Sequence, residues 1–314
     1  MTALRLSCCA ASACGGCEVA LLDTREEIVA VARAHDVVFW PFVADFKHRD
    51  LEAVPDNGLD LVLFSGALRT TRDLAMARLA RDKAKVLVAA GSCAAFGGIA
   101  ALADLAPDLL REVYVDSAST VNPEGILPRE LAAVPEGELS LPGLQSRVRA
   151  LDEVVPVDYH LPGCPPVPAV IGEVLRAFLA GRTPGADDRP LCRECPRVRR
   201  ERKISRFYRL HEIIPDEENC LLEQGLICLG PVTRAGCGAG CPKSNLPCRG
   251  CGGPPPGVLD QGAGLIGTLG SLLEADGPAD IARLVGEVPD LSGTLLRFSL
   301  AKSLLKGVGR ACRG

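Results

Sequence analysis

The 314-residue sequence predicts an α/β protein: an open, doubly wound parallel sheet followed by an irregular, cysteine-rich second part. Three observations predict it. Short apolar segments alternate with amphipathic ones over roughly the first 180 residues, the pattern of strand–helix crossovers. The composition then shifts after "GRTPGADDRP" (181–190), a linker by its Gly, Pro and Asp content. Beyond it, eight cysteines fall between Cys192 and Cys251 with little periodicity around them.

Five strands are expected. "ALRLSCC" (3–9), "DVVFWPFV" (36–43), "LDLVLFSG" (59–66), "KVLVAAGSC" (85–93) and "VVPVDYHLPGC" (154–164) are short, apolar and bounded by Gly, Pro or Asp. Such runs are buried parallel strands. Between them, 17–35 places Val19, Leu22, Ile28, Ala32 and Ala34 on one face, a helix by pattern. "TTRDLAMARLARDK" (70–83) and "PAVIGEVLRAFLAG" (168–181) are helical by the same test, and 101–153 is an irregular excursion. The domains expected are therefore 1–185 and 186–314. The second has too few large apolar side chains to hold itself together and needs a substitute core, although "LIGTLGSLLEA" and "ADIARLVGEV" regain helical periodicity.

With 47% hydrophobic residues a sizeable core is possible, while a net charge of −4 and 4% aromatics give no case for nucleic-acid binding. No run of about 18 apolar residues could span a membrane, and no leader pattern follows Met1. The expected compartment is the cytoplasm. In that reducing setting, 15 cysteines against 4 histidines point to metal or redox chemistry rather than disulfides.

Cys14 and Cys17 flank a Gly-Gly pair after the first strand, Cys93 ends a later strand in "GSCAAFGG", and Cys164 ends the last in "LPGCPP". In a doubly wound sheet all of them lie at one carboxyl edge, where ligands of such sheets sit. Cys-x-x-Cys alone is equally a thioredoxin-like redox pair, and Cys93 alone a small buried hydrophobe. Together, four thiolates from three glycine-flanked loops make a metal-cluster geometry. The back half holds Cys192-x2-Cys195, Cys220-x7-Cys228, Cys237-x3-Cys241 and Cys248-x2-Cys251. Zinc accepts such sets equally well by ligand type, so a zinc-stabilised scaffold stays open for this half alone. Twelve ligands suit three cubane clusters, one thiolate to each iron, and Cys8, Cys9 and Cys312 are left over. Dinucleotide and Walker A fingerprints, the zincin motif and the nucleophile elbow are all missing. The chain therefore reads as an electron relay whose catalytic cofactor is held elsewhere.

"CGGCEVALLD", "GSCAAFGG", "LPGCPP" and "CLLEQGLICLGPVTRAGCGAGCPKSNLPCRGC" resemble the small subunit of NiFe hydrogenases, most nearly the cytoplasmic F420-non-reducing (methyl-viologen-reducing) type. The resemblance implies a flavodoxin-like N-terminal domain with a proximal 4Fe–4S cluster on Cys14, Cys17, Cys93 and Cys164. It implies a distal 4Fe–4S cluster on Cys192, Cys195, Cys220 and Cys228, and a medial one on Cys237, Cys241, Cys248 and Cys251. The NiFe centre would lie in a partner large subunit. The electron acceptor would be a heterodisulfide reductase-linked, flavin/NAD(P) or ferredoxin module docked near the distal cluster. Periplasmic members of the family carry a histidine where this chain has Cys192, and often a proline where it has Cys241. Both changes add negative charge and should lower reduction potential. Glu18 is expected at the large-subunit contact, either on a proton path or simply as an acid favoured by the helix dipole. His160 and His211 read as hydrogen-bonding or surface residues. A cluster-bearing subunit of a complex I-like assembly shares the N-terminal fold, and the tandem Cys8-Cys9 resembles its adjacent ligands. Those subunits normally lack the eight-cysteine region.

Overall fold

The computed structural model describes residues 3–307, apart from 107, 186, 201–202 and 289. Cys312 lies outside the described residues. The chain order is β1 (Arg5–Ala10), α1 (Gly16–Leu22), α2 (Glu26–Ala34), β2 (Asp36–Phe39), α3 (His48–Glu52), β3 (Leu59–Ser65), β4 (Leu68–Thr70), α4 (Thr71–Lys83), β5 (Ala84–Ala90) and α5 (Gly91–Phe96). Then come α6 (Leu109–Tyr114), β6 (Leu131–Val134), β7 (Gly137–Ser140), β8 (Leu144–Arg149), β9 (Tyr159–Leu161) and α7 (Pro168–Leu179). The second part adds only α8 (Gly240–Lys243), α9 (Gln261–Leu272), α10 (Pro278–Gly286) and α11 (Leu291–Leu295), besides short 3-10 turns.

The main sheet has strand order β2-β1-β3-β5-β9, and every pairing in it is parallel. This is the flavodoxin-like order, doubly wound about β1 and β3. Side chains alternate across it, as the two-residue period of a strand requires. Val62 and Phe64 enter a core with Leu51, Met76, Ala77 and Leu87. Leu61 and Leu63 enter the opposite one with Leu21, Ile171, Val174 and Leu175. Both faces are covered, which is why these strands read as unbroken apolar runs.

The helix expected over 17–35 is two. α1 ends at Leu22 and α2 begins at Glu26, with Arg25 at φ 55° between them. The Thr24 hydroxyl donates to the Leu21 carbonyl at 2.7 Å, a local side-chain bond that competes with helix propagation. The break turns α1 so that Ala20 and Leu21 are buried while Val19 and Leu22 face outward. Only Tyr159–Leu161 of the last expected strand is paired, and Cys93 sits inside α5 rather than on its strand.

α4 starts at a reciprocal cap: the Asp73 amide donates to Thr70 Oγ1 at 3.2 Å, and Asp73 Oδ2 accepts from the Thr70 amide at 2.8 Å. The same oxygen accepts from Ser12 Oγ at 2.8 Å, so one carboxylate caps the helix and anchors the loop that carries Cys14. Such a cap is worth about 1 kcal/mol.

The second part shares a core with the excursion. Ala67, Ala101 and Val148 pack in one cluster with Leu191, Leu229, Leu265, Leu295 and the sulfur-bearing Cys228 and Cys248. The C-terminal segment returns to the sheet domain, where Lys302 Nζ meets Asp152 Oδ2 at 2.5 Å and lies over the Phe96 ring. No helix among the described residues is long and apolar enough to cross a membrane.

Candidate metal-cluster sites

The first set forms where three strands end. After β1, Ala11 and Ser12 pair back to Ser65 and Ala67, and Cys14 follows in the open loop. Gly15 takes φ 81° to start α1, which carries Cys17 and Glu18. β5 ends at Ala90, and Gly91, with φ 86°, opens α5 ahead of Cys93; β9 leads through Gly163 to Cys164. The Ser92 amide donates to the Gly163 carbonyl at 2.8 Å, and Gly163 N–H donates to Ser92 Oγ at 3.2 Å, locking the two loops together. Cys17 is pushed up to about 12 by burial and then by Glu18, Cys93, Cys14 and Cys164 around it. Burial also raises Cys93 and Cys164, with Cys14 adding to both. All four expected sulfurs are therefore neighbours. Cys14 and Cys164 are exposed, so the set opens on the surface.

The second set lines one cavity: Cys192 and Cys195 from a 3-10 turn and its exit, with Cys220 and Cys228. Cys192 is pushed up to about 12 by burial, Cys228, Cys220 and Cys195, with Arg199 acting against them. Cys228 rises to about 11 on burial, although the Gly230 and Cys248 amides favour its thiolate. In the third set, Cys237 and Cys241 are exposed and Cys248 is buried. Cys251 is raised by burial, with Cys237 and Cys241 close enough to contribute. Burial raises Cys248 well above its usual range, and Cys228 and Cys251 add to it.

The sets adjoin in a definite order. Ser92, in the first, donates from Oγ to the Cys251 carbonyl of the third at 2.6 Å. Cys248 of the third donates its amide to Cys228 Sγ of the second at 3.3 Å. The third set thus lies between the other two.

Glu18 is buried; Oε1 accepts from Ser65 Oγ at 2.5 Å, and Oε2 has no partner among the described residues. It borders both a small cavity shared with Cys8 and Ser65 and a larger one of about 550 Å³ beside Cys14, Trp40 and Phe42. Cys9 is a core residue, 1% exposed, with Ser7 Oγ at 3.6 Å, and burial pushes its thiol up to about 12. Cys8 borders the cavities beside Glu18, and burial, Cys9 and Glu18 raise it too. His160 hydrogen-bonds Asp152 at 3.1 Å, and His211 is exposed.

A bulky thiolate-bound group fits these surroundings. A Cβ on Gly91 would stand 2.3 Å from Cys17 Sγ, and one on Gly98 2.4 Å from Cys93 Sγ. Buried thiols that resist ionisation alone need cationic charge among them to become thiolates. Sequence reasoning missed Ser92, which joins the first and third sets, and Arg197, which lines the second-set cavity and donates to the Pro242 carbonyl beside Cys241 of the third. Their only sequence signal is adjacency, one residue before Cys93 and two after Cys195.

Residues 14–178 match the family described as NADH ubiquinone oxidoreductase, 20 Kd subunit, which places the sheet domain in a class of redox-complex subunits. The chain is 40% identical to the iron-sulfur subunit of the F420-non-reducing hydrogenase of Archaeoglobus profundus, over 96% of this chain and 98% of that one. It is 36% identical to a vhu subunit of the F420-non-reducing hydrogenase of Methanocaldococcus jannaschii, over 93% of each. A crystal structure of an NAD+-reducing [NiFe]-hydrogenase contains a chain 30% identical, with TM-score 0.50, covering 59% of this chain and 95% of that one. The chain belongs to the family of F420-non-reducing hydrogenase iron-sulfur subunits and is a hydrogenase subunit.

Proposed function

We propose that this chain is the electron-transfer small subunit of a cytoplasmic NiFe hydrogenase. It would hold three 4Fe–4S clusters and relay electrons between the NiFe site of a large subunit and an acceptor module. The proximal ligands are Cys14, Cys17, Cys93 and Cys164; the medial are Cys237, Cys241, Cys248 and Cys251; the distal are Cys192, Cys195, Cys220 and Cys228. When bound, such clusters supply one-electron carriers at successive positions.

The observation that carries this reading is the order of the sets, joined by Ser92 to Cys251 and by Cys248 to Cys228. A scaffold stabilised by separate zinc ions has no use for such a series. Among the described residues, no three His, Cys, Asp or Glu side chains are set closely enough to share one metal ion. A four-cysteine zinc site needs sulfurs about 3.8 Å apart, from Zn–S bonds of about 2.3 Å.

This chain's own residues do the positioning. Gly91 and Gly98 let the backbone approach the sulfurs of Cys17 and Cys93. The helix start at Cys17 turns amide dipoles toward the first set. The large subunit would cover the carboxyl edge of the sheet, where Cys14, Cys164, Val19, Phe42 and Val43 are exposed. Glu18, buried beneath that face with one free carboxylate oxygen, would hand protons across it. The acceptor, whether a heterodisulfide reductase-linked, flavin/NAD(P) or ferredoxin module, would dock beside the distal set.

The test is metal analysis and EPR on the complex purified without oxygen. About twelve irons per chain are expected from three cubes, and zinc in their place would overturn the reading. Cys237→Ser should abolish viologen reduction while leaving hydrogen–deuterium exchange at the NiFe site intact. A high-potential 3Fe–4S signal in the native protein would contradict the full medial set.

A further inference from the structure

Arg197 follows Cys195 of the second set and ties its own segment to two others, 216–219 and 242–245. Its Nε donates to the Pro242 carbonyl at 3.1 Å, one residue past Cys241 of the third set. Its Nη1 donates to the carbonyls of Asp216 and Asn219 at 2.6 and 3.0 Å, just before Cys220 of the second. Its Nη2 donates to Asn245 Oδ1 at 2.6 Å. Asn245 stands at φ 56° after α8, and its own Nδ2 donates to the Pro215 carbonyl at 3.0 Å, closing the link. The backbone supports the arrangement: the Cys220 amide donates to the Val198 carbonyl at 2.8 Å and the Val198 amide to the Glu218 carbonyl at 2.9 Å.

Among the described residues, every hydrogen-bond acceptor of this guanidinium is a neutral carbonyl or amide oxygen. The Asp216 carboxylate, within its Coulomb range, is already bonded to the amides of Glu218 and Asn219 and to the Asn219 side chain. The half-buried guanidinium lines the cavity formed by Cys192, Cys195, Cys220 and Cys228. A planar cation with a fixed fork of donors can hold three segments at once; an ammonium on a flexible stem cannot.

We infer that Arg197 is a positioning residue for electron transfer. It fixes the spacing between the second and third cluster sites and sets a positive charge on the wall of the second. The inference rests on the three-cluster reading above. A positive charge beside a cluster stabilises its reduced form and raises its potential. Loss of the clasp frees the Cys241 loop to move relative to Cys195 and Cys220.

The experiment is an EPR-monitored redox titration of the intact hydrogenase complex carrying Arg197→Gln or Arg197→Lys, with iron counted in each sample. In Arg197→Gln, one midpoint should shift downward, and the magnetic splitting between the reduced clusters of the second and third sets should change. In Arg197→Lys the charge stays and the bridging goes, so the midpoint should remain near wild type while the splitting changes. Unchanged midpoints and splitting in an iron-replete Arg197→Gln complex would overturn the inference. Should that variant fail to retain iron, Arg197→Lys decides: altered splitting supports the clasp, and wild-type splitting overturns it. Wild-type complex lacking the clusters would instead overturn the three-cluster reading, and the inference with it.

Discussion

The Ser92 hydroxyl donates to the main-chain carbonyl of Cys251 at 2.6 Å, joining a residue beside Cys93 to a residue 159 positions later. It ties the sheet-edge set directly to the third set, and it leaves Cys251 close to Cys164. Ser92 is 1% exposed and also accepts from the Gly163 amide. Ser92→Ala should destabilise the chain by about 1–3 kcal/mol, because two buried backbone groups lose their partner. Denaturant unfolding of the iron-loaded protein would measure it; a change near zero would mean water replaces the hydroxyl.

Gly91→Ala should empty the proximal set. Its φ of 86° disfavours any side chain, and the new Cβ would meet Cys17 Sγ at 2.3 Å. The expected result is loss of about four irons per chain, one cube's worth. Gly181→Ala is the matched control, since φ is 70° there with nothing within 4 Å. It should cost about 1–2 kcal/mol of backbone strain and no iron. Equal iron in both variants would contradict the role given to Gly91.

Glu18→Gln keeps an acceptor for the Ser65 hydroxyl, so stability should change by no more than about 1 kcal/mol. Proton movement should suffer instead. Hydrogen–deuterium exchange by the assembled enzyme is expected to fall by about tenfold or more, toward the 10²–10⁴ span of a lost proton-transfer group. Wild-type exchange in a correctly folded variant would return Glu18 to a packing role.

Metal-free protein should weaken in alkali. Cys17 and Cys192 are pushed up to about 12, and Cys228 to about 11, from a usual value of 9.0. Between pH 9 and these values the unfolded thiols ionise while the folded ones keep their protons. The unfolded state then binds fewer protons, so unfolding free energy falls as pH rises through that window. Iron loading has the opposite dependence: thiolates must form, protons are released, and acid favours loss of metal. Urea unfolding of apoprotein between about pH 7 and 10.5, beside iron retention on acidification, would check both signs.

Much of this was legible in the sequence because strand ends and cysteines coincide. The runs 59–66 and 85–93 announced β3 and β5, and the glycines beside Cys17, Cys93 and Cys164 marked close backbone approach. The break at Thr24 was not legible, since the apolar spacing from Val19 to Ala34 fits one continuous helix. The Thr24 hydroxyl takes the Leu21 carbonyl and the chain turns at Arg25, φ 55°, contacts that apolar spacing does not encode. Pairing among the eight later cysteines was also beyond spacing alone, because long-range contacts decide which loops meet. Cys228 and Cys248 belong to different sets, yet they share a hydrogen bond. Arg197 lies in the cation-rich run "RVRRERK", and its four bonds depend on turns at Asp216 and Asn245 that no periodicity reveals.

In the proposed first site, the separation of Cys14 from Cys164 sets when the four ligands can be complete. These residues are 150 positions apart, whereas Cys237 to Cys251 spans 14. Chains emerge from the ribosome amino end first, so Cys14 and Cys17 are made early and wait as open thiols until β9 has been added to the sheet. A nascent chain stopping short of Cys164 would lack one of the four ligands proposed for that cluster, whatever the supply of iron and sulfide. The proposed first site thereby depends on residues from both ends of the sheet domain, whereas the cysteines of the third lie close in sequence and are held from outside by Ser92, Arg197 and Cys228.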